Sequence, residues 1–273
     1  MVKMKSDKES DNLIKDLVDT KLLRYTIQIF LKNTKLKPFG SGILAFIHEK
    51  YFLLTASHVA EFLSEDKHQL WLQIGKNDYI NLLGEIKLTE IKNSNNIDLA
   101  YIKLDSQLIP LLNKSYSFLT IDKFSKHNKI LDEINYCILG FPENNIKEKE
   151  GLIETGASYY LTSALNKKPY DFYKLNDNDF IILNMTGKGF DIFSGERKKI
   201  NTHFYGISGC GLWLLDFFKY PETGKLTVDY RLIGIMTEFK KGKYFCLIAN
   251  KIHLILEAMQ IYEGFKFTAK RKL

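Results

Sequence analysis

From Tyr25 to Asn250 the chain is written as short β-rich runs separated by turn-forming residues, and that rhythm sets the fold class. YTIQIFL, GILAFIHE, YFLLTAS, LWLQIG, YINLLGEIKL and DLAYIKL follow one another in the first half. INYCILGFP, GLIETGASYYLTS, DFIILN, GLWLLDFF, DYRLIGIM and YFCLIAN do so in the second. Runs of this length, rich in β-branched and aromatic residues and bounded by Gly, Asn, Asp and Ser, read as strands. A charged segment at 121–133, IDKFSKHNKILDE, shows neither period clearly and reads as a connection. Two groups of strands of similar size predict an all-β protein of two packed β-barrels or a large sandwich.

The ends carry a different period. Leu13, Ile14, Leu17, Val18, Leu22 and Leu23 share one face of a helix over 12–23. Ile252, Ile255, Leu256 and Met259 have helical spacing near the other end, with Gly264 as a stop. The chain therefore divides into an N-terminal helical extension (1–23), a first β-barrel (24–120), the connection (121–133), a second β-barrel (134–250), and a C-terminal helix with a basic tail (251–273). Charged, glycine- and aromatic-containing stretches between Asn166 and Ile200 read as surface loops.

Composition narrows the function classes. The 273 residues suffice for one large domain or two small ones, and the apolar share of 45% is that of a globular protein. The formal charge of +7 is dispersed, and its densest cluster is the terminal KFTAKRKL, so no nucleic-acid partner is expected. Cys137, Cys210 and Cys246 form no pair with metal-ligand spacing, which indicates neither a disulfide framework nor a metal site, and no cofactor is expected. The charged start MVKMKSDKESDNLIKDL lacks the apolar core of a signal peptide, and no window has the unbroken apolar length of a membrane span. The expectation is a cytoplasmic protein with no membrane association.

Three short stretches carry reactive side chains: His58 in TASHV, Asp98 in NNIDLAYIKL and Ser208 in YGISGCG. Taken singly, each has a plain structural explanation: a polar residue at a strand end, a strand-entering carboxylate, a glycine turn. Taken together they are the parts of nucleophilic catalysis. A serine hydroxyl needs a base to take its proton, and the base needs a carboxylate to fix its tautomer. Side-chain-free positions around the serine let backbone N–H groups converge on a developing oxyanion. Chain order is histidine, aspartate, serine, and Cys210 stands where a G-x-S-x-G elbow requires glycine, so the α/β-hydrolase arrangement is disfavoured.

TASHV, NIDLAYIKL and GISGCG, in this order, resemble the T-A-x-H, D-[IL]-A and G-x-S-G-G motifs of the trypsin-like, chymotrypsin-fold serine peptidases, and the chain resembles intracellular bacterial members of that family. GSGILAF, LGFP and LIGIM are similar to other strands of the family, and the resemblance covers roughly residues 38–260. It implies two packed six-stranded antiparallel β-barrels with the site between them. It further implies His58 as general base and acid, Asp98 as its orienting carboxylate and Ser208 as nucleophile. The oxyanion hole would be the N–H groups of Gly206 and Ser208.

Two departures from the family pattern matter. Ile207 replaces the aspartate that pairs with a freshly cleaved N-terminus in many secreted members, which argues against that mode of activation. Cys210 replaces a glycine, either as a small apolar filler or as an oxidation-sensitive neighbour of the site. By the family pattern the primary substrate pocket lies near Thr202, His203, Thr237, Glu238 and Phe239, with no aspartate at its base. Glu238 reads either as an attractor of basic side chains or as a solvated charge. The leading expectation is a serine endopeptidase cleaving a protein or peptide substrate, with an activating partner protein left open. By analogy such enzymes resemble those encoded beside bacterial defence or signalling modules. The alternative is an inactive pseudo-peptidase that binds peptides, and a third, weaker reading is a nucleic-acid-associated β protein.

Overall fold

The computed structural model describes residues 8–64, 69–89, 97–127, 135–145, 147–149, 152–185, 188–192, 197–199 and 205–267. The first group of strands comprises β1 (Thr26–Lys32), β2 (Leu36–Ile47), β3 (Lys50–Thr55), β4 (Gln69–Gln73), β5 (Tyr79–Asn81), β6 (Gly84–Leu88), β7 (Ala100–Leu104) and β8 (Leu119–Thr120). They form one curled sheet in the order β5-β4-β1-β2-β3-β7-β6, with β8 added in parallel to β2. The second group comprises β9 (Tyr136–Gly140), β10 (Lys147–Lys149), β11 (Leu152–Glu154), β12 (Ser158–Thr162), β13 (Phe180–Asn184), β14 (Lys188–Asp191), β15 (Arg197–Lys199), β16 (Gly211–Lys219), β17 (Leu226–Lys240) and β18 (Cys246–Lys251). Its sheet runs β13-β18-β17-β16-β9-β12-β14-β15, and β10 and β11 pair separately.

These are two antiparallel half-barrels of the chymotrypsin-like kind, with a helix at each end. Each sheet counts eight strands rather than six. The surplus lies in short segments such as β5, β8 and β15, which span three, two and three residues. Two apparently continuous runs are divided. YINLLGEIKL breaks at Leu82–Leu83 because β5 pairs with β4 on one edge and β6 with β7 on the other. GLIETGASYYLTS breaks because β11 belongs to the separate hairpin while β12 pairs with β9.

The N-terminal helix begins at Lys8, earlier than the apolar face alone indicates, with Glu9 and Asp11 in its first turn and Lys15 in its last, the sense the helix dipole favours. It passes through a wide turn at Val18–Leu22 and closes at Tyr25. The stretch expected as loops after Asn166 instead contains a helix, Lys167–Tyr173. Buried Pro169 and Tyr170 fix it, and Tyr170 Oη accepts the Ile182 N–H at 2.9 Å. The C-terminal helix, His253–Glu263, ends at Gly264 with φ of +69°, a left-handed cap. Glu263 accepts from Lys50 Nζ at 3.1 Å and Tyr101 Oη at 3.3 Å, so that end is tied to the first half-barrel.

One hydrophobic cluster joins both terminal helices to both half-barrels. Ile14, Leu17, Val18 and Leu22 of the N-terminal helix, Phe52 and Tyr101 of the first sheet, Trp213 and Leu232 of the second, and Ile255 and Met259 of the C-terminal helix all pack in it. Both helices thus brace the half-barrels on the Trp213 side.

Candidate active site

His58 stands just past the end of β3. Ala56 is extended, Ser57–Ala60 makes a single helical turn, and buried Val59 and Ala60 anchor it, which leaves the His58 side chain 46% exposed on the outer side. Asp98 immediately precedes β7, and the β3–β7 pairing brings it alongside. The His58 N–H donates to Asp98 Oδ1 at 2.9 Å, and Nδ1 meets Oδ2 at 2.6 Å. Ser57 N–H donates to the Asp98 carbonyl at 3.3 Å. Both carboxylate oxygens are therefore committed to His58, which fixes the ring with Nδ1–H toward Asp98 and Nε2 outward. The hydrogen bond to Asp98 raises the His58 pKa above its ordinary 6.5, against burial, which lowers it.

Ser208 arrives from the second half-barrel on a turn that only glycine can make. Gly206 and Gly209 have φ of +90° and +86°. A Cβ on Gly206 would stand 2.4 Å from the Phe141 carbonyl oxygen, and one on Gly209 would stand 2.1 Å from both Ser41 O and Thr55 Oγ1. The turn is pinned from both sides. Ser41 N–H donates to Ser208 O at 2.8 Å, Ser41 Oγ donates to Gly206 O at 2.8 Å, and Gly209 N–H donates to Met236 O at 2.7 Å. Thr55 Oγ1 in turn donates to Ser41 O at 2.8 Å. Among the described residues the N–H groups of Gly206 and Ser208 have no backbone partner, and Ser208 Oγ has no hydrogen bond.

His58 and Ser208 line the same cleft, of about 650 Å³, together with Glu143, Tyr205, Gly206 and Phe239. A second compartment of about 370 Å³ lies on the Asp98 side of His58, walled by Tyr173, Leu175, Phe180 and Ile248. His58, Thr237 and Glu238 line both, so the two form one trough with the histidine between them. Of the pocket residues expected from sequence, Thr237, Glu238 and Phe239 line this trough, and Glu238 is ion-paired with Lys240. Thr202 and His203 lie outside the described residues.

The two departures from the family motif are both packing features. Ile207 is buried with Ile138, Leu212 and Met236, so apolar contact anchors the turn at this position. Cys210 is fully buried, its thiol pushed well above its ordinary pKa by desolvation, with Sγ 3.1 Å from where a Cβ on Gly140 would sit. It is a neutral filler of the space that Gly140 leaves.

Sequence reading missed Ser41, Thr55 and Asn250. Asn250, on β18 and fully buried, accepts the Asp98 N–H on Oδ1 at 3.2 Å. The available signal was a polar residue inside an apolar strand: Ser41 in GSGILAF and Asn250 closing LIAN.

No family model matches the sequence, and no curated protein does. The fold, by contrast, has solved counterparts. Human heparin binding protein superposes over 91% of this chain and 95% of its own, with a TM-score of 0.51 and 12% identity. At that identity the likeness establishes the fold alone, which is chymotrypsin-like. Among the described residues no helix is long and apolar enough to cross a membrane.

Proposed function

We propose that this chain is a serine endopeptidase that cleaves a protein partner through an acyl-enzyme intermediate. The observation that carries the reading is the 2.6 Å contact of His58 Nδ1 with Asp98 Oδ2 in a cleft that also holds Ser208 and the N–H groups of Gly206 and Ser208, which have no backbone partner among the described residues. Ser208 Oγ attacks the carbonyl carbon of the scissile peptide while His58 Nε2 takes its proton, and Asp98 stabilises the resulting imidazolium. The carbonyl oxygen becomes an oxyanion facing the Gly206 and Ser208 N–H groups, donors of a kind worth about 10²–10³ in rate. Collapse breaks the C–N bond as Nε2 returns the proton to the leaving amine, and water repeats the sequence to release the acid. The step requires Ser208 Oγ and His58 Nε2 to come within hydrogen-bond reach when substrate binds, a tightening common at such sites.

A fluorophosphonate probe tests this directly. Wild type should label, while Ser208→Ala should not, with peptide hydrolysis falling about 10⁴- to 10⁶-fold. Equal labelling of the two would sink the proposal. Comparing cellular proteins cut by wild type and by Ser208→Ala then identifies the substrate, and a role in a bacterial defence or signalling module follows only if the substrate belongs to one.

A second reading is a peptide-binding module that does not cut. Two observations favour it: among the described residues Ser208 Oγ has no hydrogen bond, and one protein of similar fold is named for binding heparin rather than for hydrolysis. It predicts an intact partner in pull-down and no difference between wild type and Ser208→Ala in any proteolysis assay.

A further inference from the structure

The end of β17 and the turn that follows it read FKKGKYF from Phe239 to Phe245, three lysines among four aromatic or glycine positions and no acid. This stretch stands at the rim of both compartments: Lys240 lines the smaller and Lys241 the larger. The end of the Lys167–Tyr173 helix packs against it. Tyr173 Oη donates to Tyr244 O at 2.8 Å, and Phe172, 52% exposed, lies edge-on to Tyr244 with centroids 5.5 Å apart. The ammonium groups lie over these rings: Lys243 is 5.6 Å from the Phe172 centroid and 5.8 Å from that of Tyr244, and Lys241 is 5.6 Å from Phe239. Rings hold a cation at such distances without neutralising it. Glu238 answers Lys240, whereas among the described residues Lys241 and Lys243 form no ion pair.

We propose that this lysine–aromatic rim binds acidic residues flanking the cleavage site, so that the substrate class is an acidic polypeptide segment carrying an apolar side chain for the smaller compartment. The inference rests on the peptide-binding cleft proposed above and names what fills it. Tyr173, Leu175, Phe180 and Ile248 give the smaller compartment an apolar wall against which one apolar side chain can pack, beside His58, Asp98, Thr237, Glu238 and Lys240. Carboxylates on either side of that residue reach Lys241 and Lys243, which are mounted on rigid rings and lose little freedom on pairing. A single-stranded nucleic acid also favours lysines interleaved with aromatics. Here, however, Asp98 and Glu238 line the trough itself, which opposes a chain with a phosphate at every unit but not a segment that places its apolar residue in the trough and its acids only at the rim.

The test uses the full chain carrying Ser208→Ala, so that nothing is cut. Two fluorescein-labelled octapeptides share a central phenylalanine and differ in three flanking glutamates or three flanking lysines, and a labelled oligouridylate serves as the third probe. Anisotropy at moderate salt should show the glutamate peptide binding about tenfold or more tightly than the lysine peptide. Lys241→Glu with Lys243→Glu should reverse that order, with an unchanged circular dichroism spectrum and melting point within a few degrees. Equal affinities, no detectable peptide binding, an order unaffected by charge reversal, or tighter binding of the oligouridylate would each overturn the proposal. Fluorophosphonate labelling of the wild type is read separately. Labelling without the acidic preference removes the substrate class and keeps the peptidase; the preference without labelling does the reverse.

Discussion

The backbone N–H of Asp98, in the first half-barrel, donates to Oδ1 of Asn250, in the second, at 3.2 Å. Because Asp98 engages His58 with both carboxylate oxygens, the pair is held in place from across the interface. Asn250→Ala leaves the Asp98 N–H without its partner but also removes Nδ2, a buried donor with no partner among the described residues. The two effects oppose, so the cost should fall at about 1–2 kcal/mol rather than higher. Urea unfolding measures it. A loss of fluorophosphonate labelling larger than the loss of folded protein would show that Asn250 positions Asp98.

Ser41 does for the Ser208 turn what Asn250 does for Asp98. Its Oγ donates to Gly206 O at 2.8 Å and accepts the Phe141 N–H at 3.3 Å, with the residue fully buried. Ser41→Ala strands both backbone groups at once. We expect a loss of about 1–3 kcal/mol in urea unfolding and slower probe labelling of Ser208 at pH values where His58 is fully neutral. A stable variant that labels at the wild-type rate would show that the turn does not depend on Ser41.

The strands and the ordered His58, Asp98 and Ser208 motifs were legible because each is local: β-branched runs between turns, and reactive residues with characteristic neighbours. Ser41 and Asn250 were not, since their partners lie 165 and 152 residues away in sequence. The helix at Lys167–Tyr173 escaped for a related reason. Its stability comes from Tyr170 packing under β13 rather than from an amphipathic pattern in KKPYDFY. The split of YINLLGEIKL was equally hidden, because a run of β-formers does not say which edge each half will join.

His58 links the site to pH. Its folded pKa lies above 6.5, chiefly through the hydrogen bond to Asp98. The charged pair therefore adds stability that is fully present below about 6.5 and fades as pH rises through the folded value. Catalysis needs the neutral ring, so hydrolysis should rise with pH through that same raised pKa. Asp98→Asn removes the main cause and should move the imidazole titration, followed by NMR of the ring Cε1–H, back to or below 6.5. An unmoved titration would mean that the carboxylate does not set the His58 pKa.

Gly209 and Gly224 separate the two reasons for a glycine. Both have positive φ, +86° and +65°, but a Cβ on Gly209 would collide with Ser41 O and Thr55 Oγ1, while one on Gly224 meets nothing within 4 Å. Gly224→Ala should cost only the left-handed strain, about 1 kcal/mol. Gly209→Ala adds a backbone collision in a close-packed core and should cost about 3 kcal/mol or more, enough to reduce soluble yield. Equal melting points for the two variants would contradict the packing described for the turn.

His127 and His253 give the fold a separate acid limit. Both are buried, and burial lowers each pKa to about 4, with Lys251 adding to the effect on both and Lys126 on His253, while Asp179 opposes it there. His127 Nε2 is bonded to Tyr136 Oη at 2.8 Å, and His253 Nδ1 is buried with no partner among the described residues. A depressed histidine pKa means that the unfolded chain binds protons first. Stability from these two residues is thus present above about 6.5 and lost as pH falls toward 4, by up to about 3 kcal/mol each. Replacing both with glutamine should lower stability at pH 7 but flatten its decline between pH 6.5 and 4, measured by urea midpoints across that range. A decline as steep as the wild type's would place the acid sensitivity in the carboxylates instead.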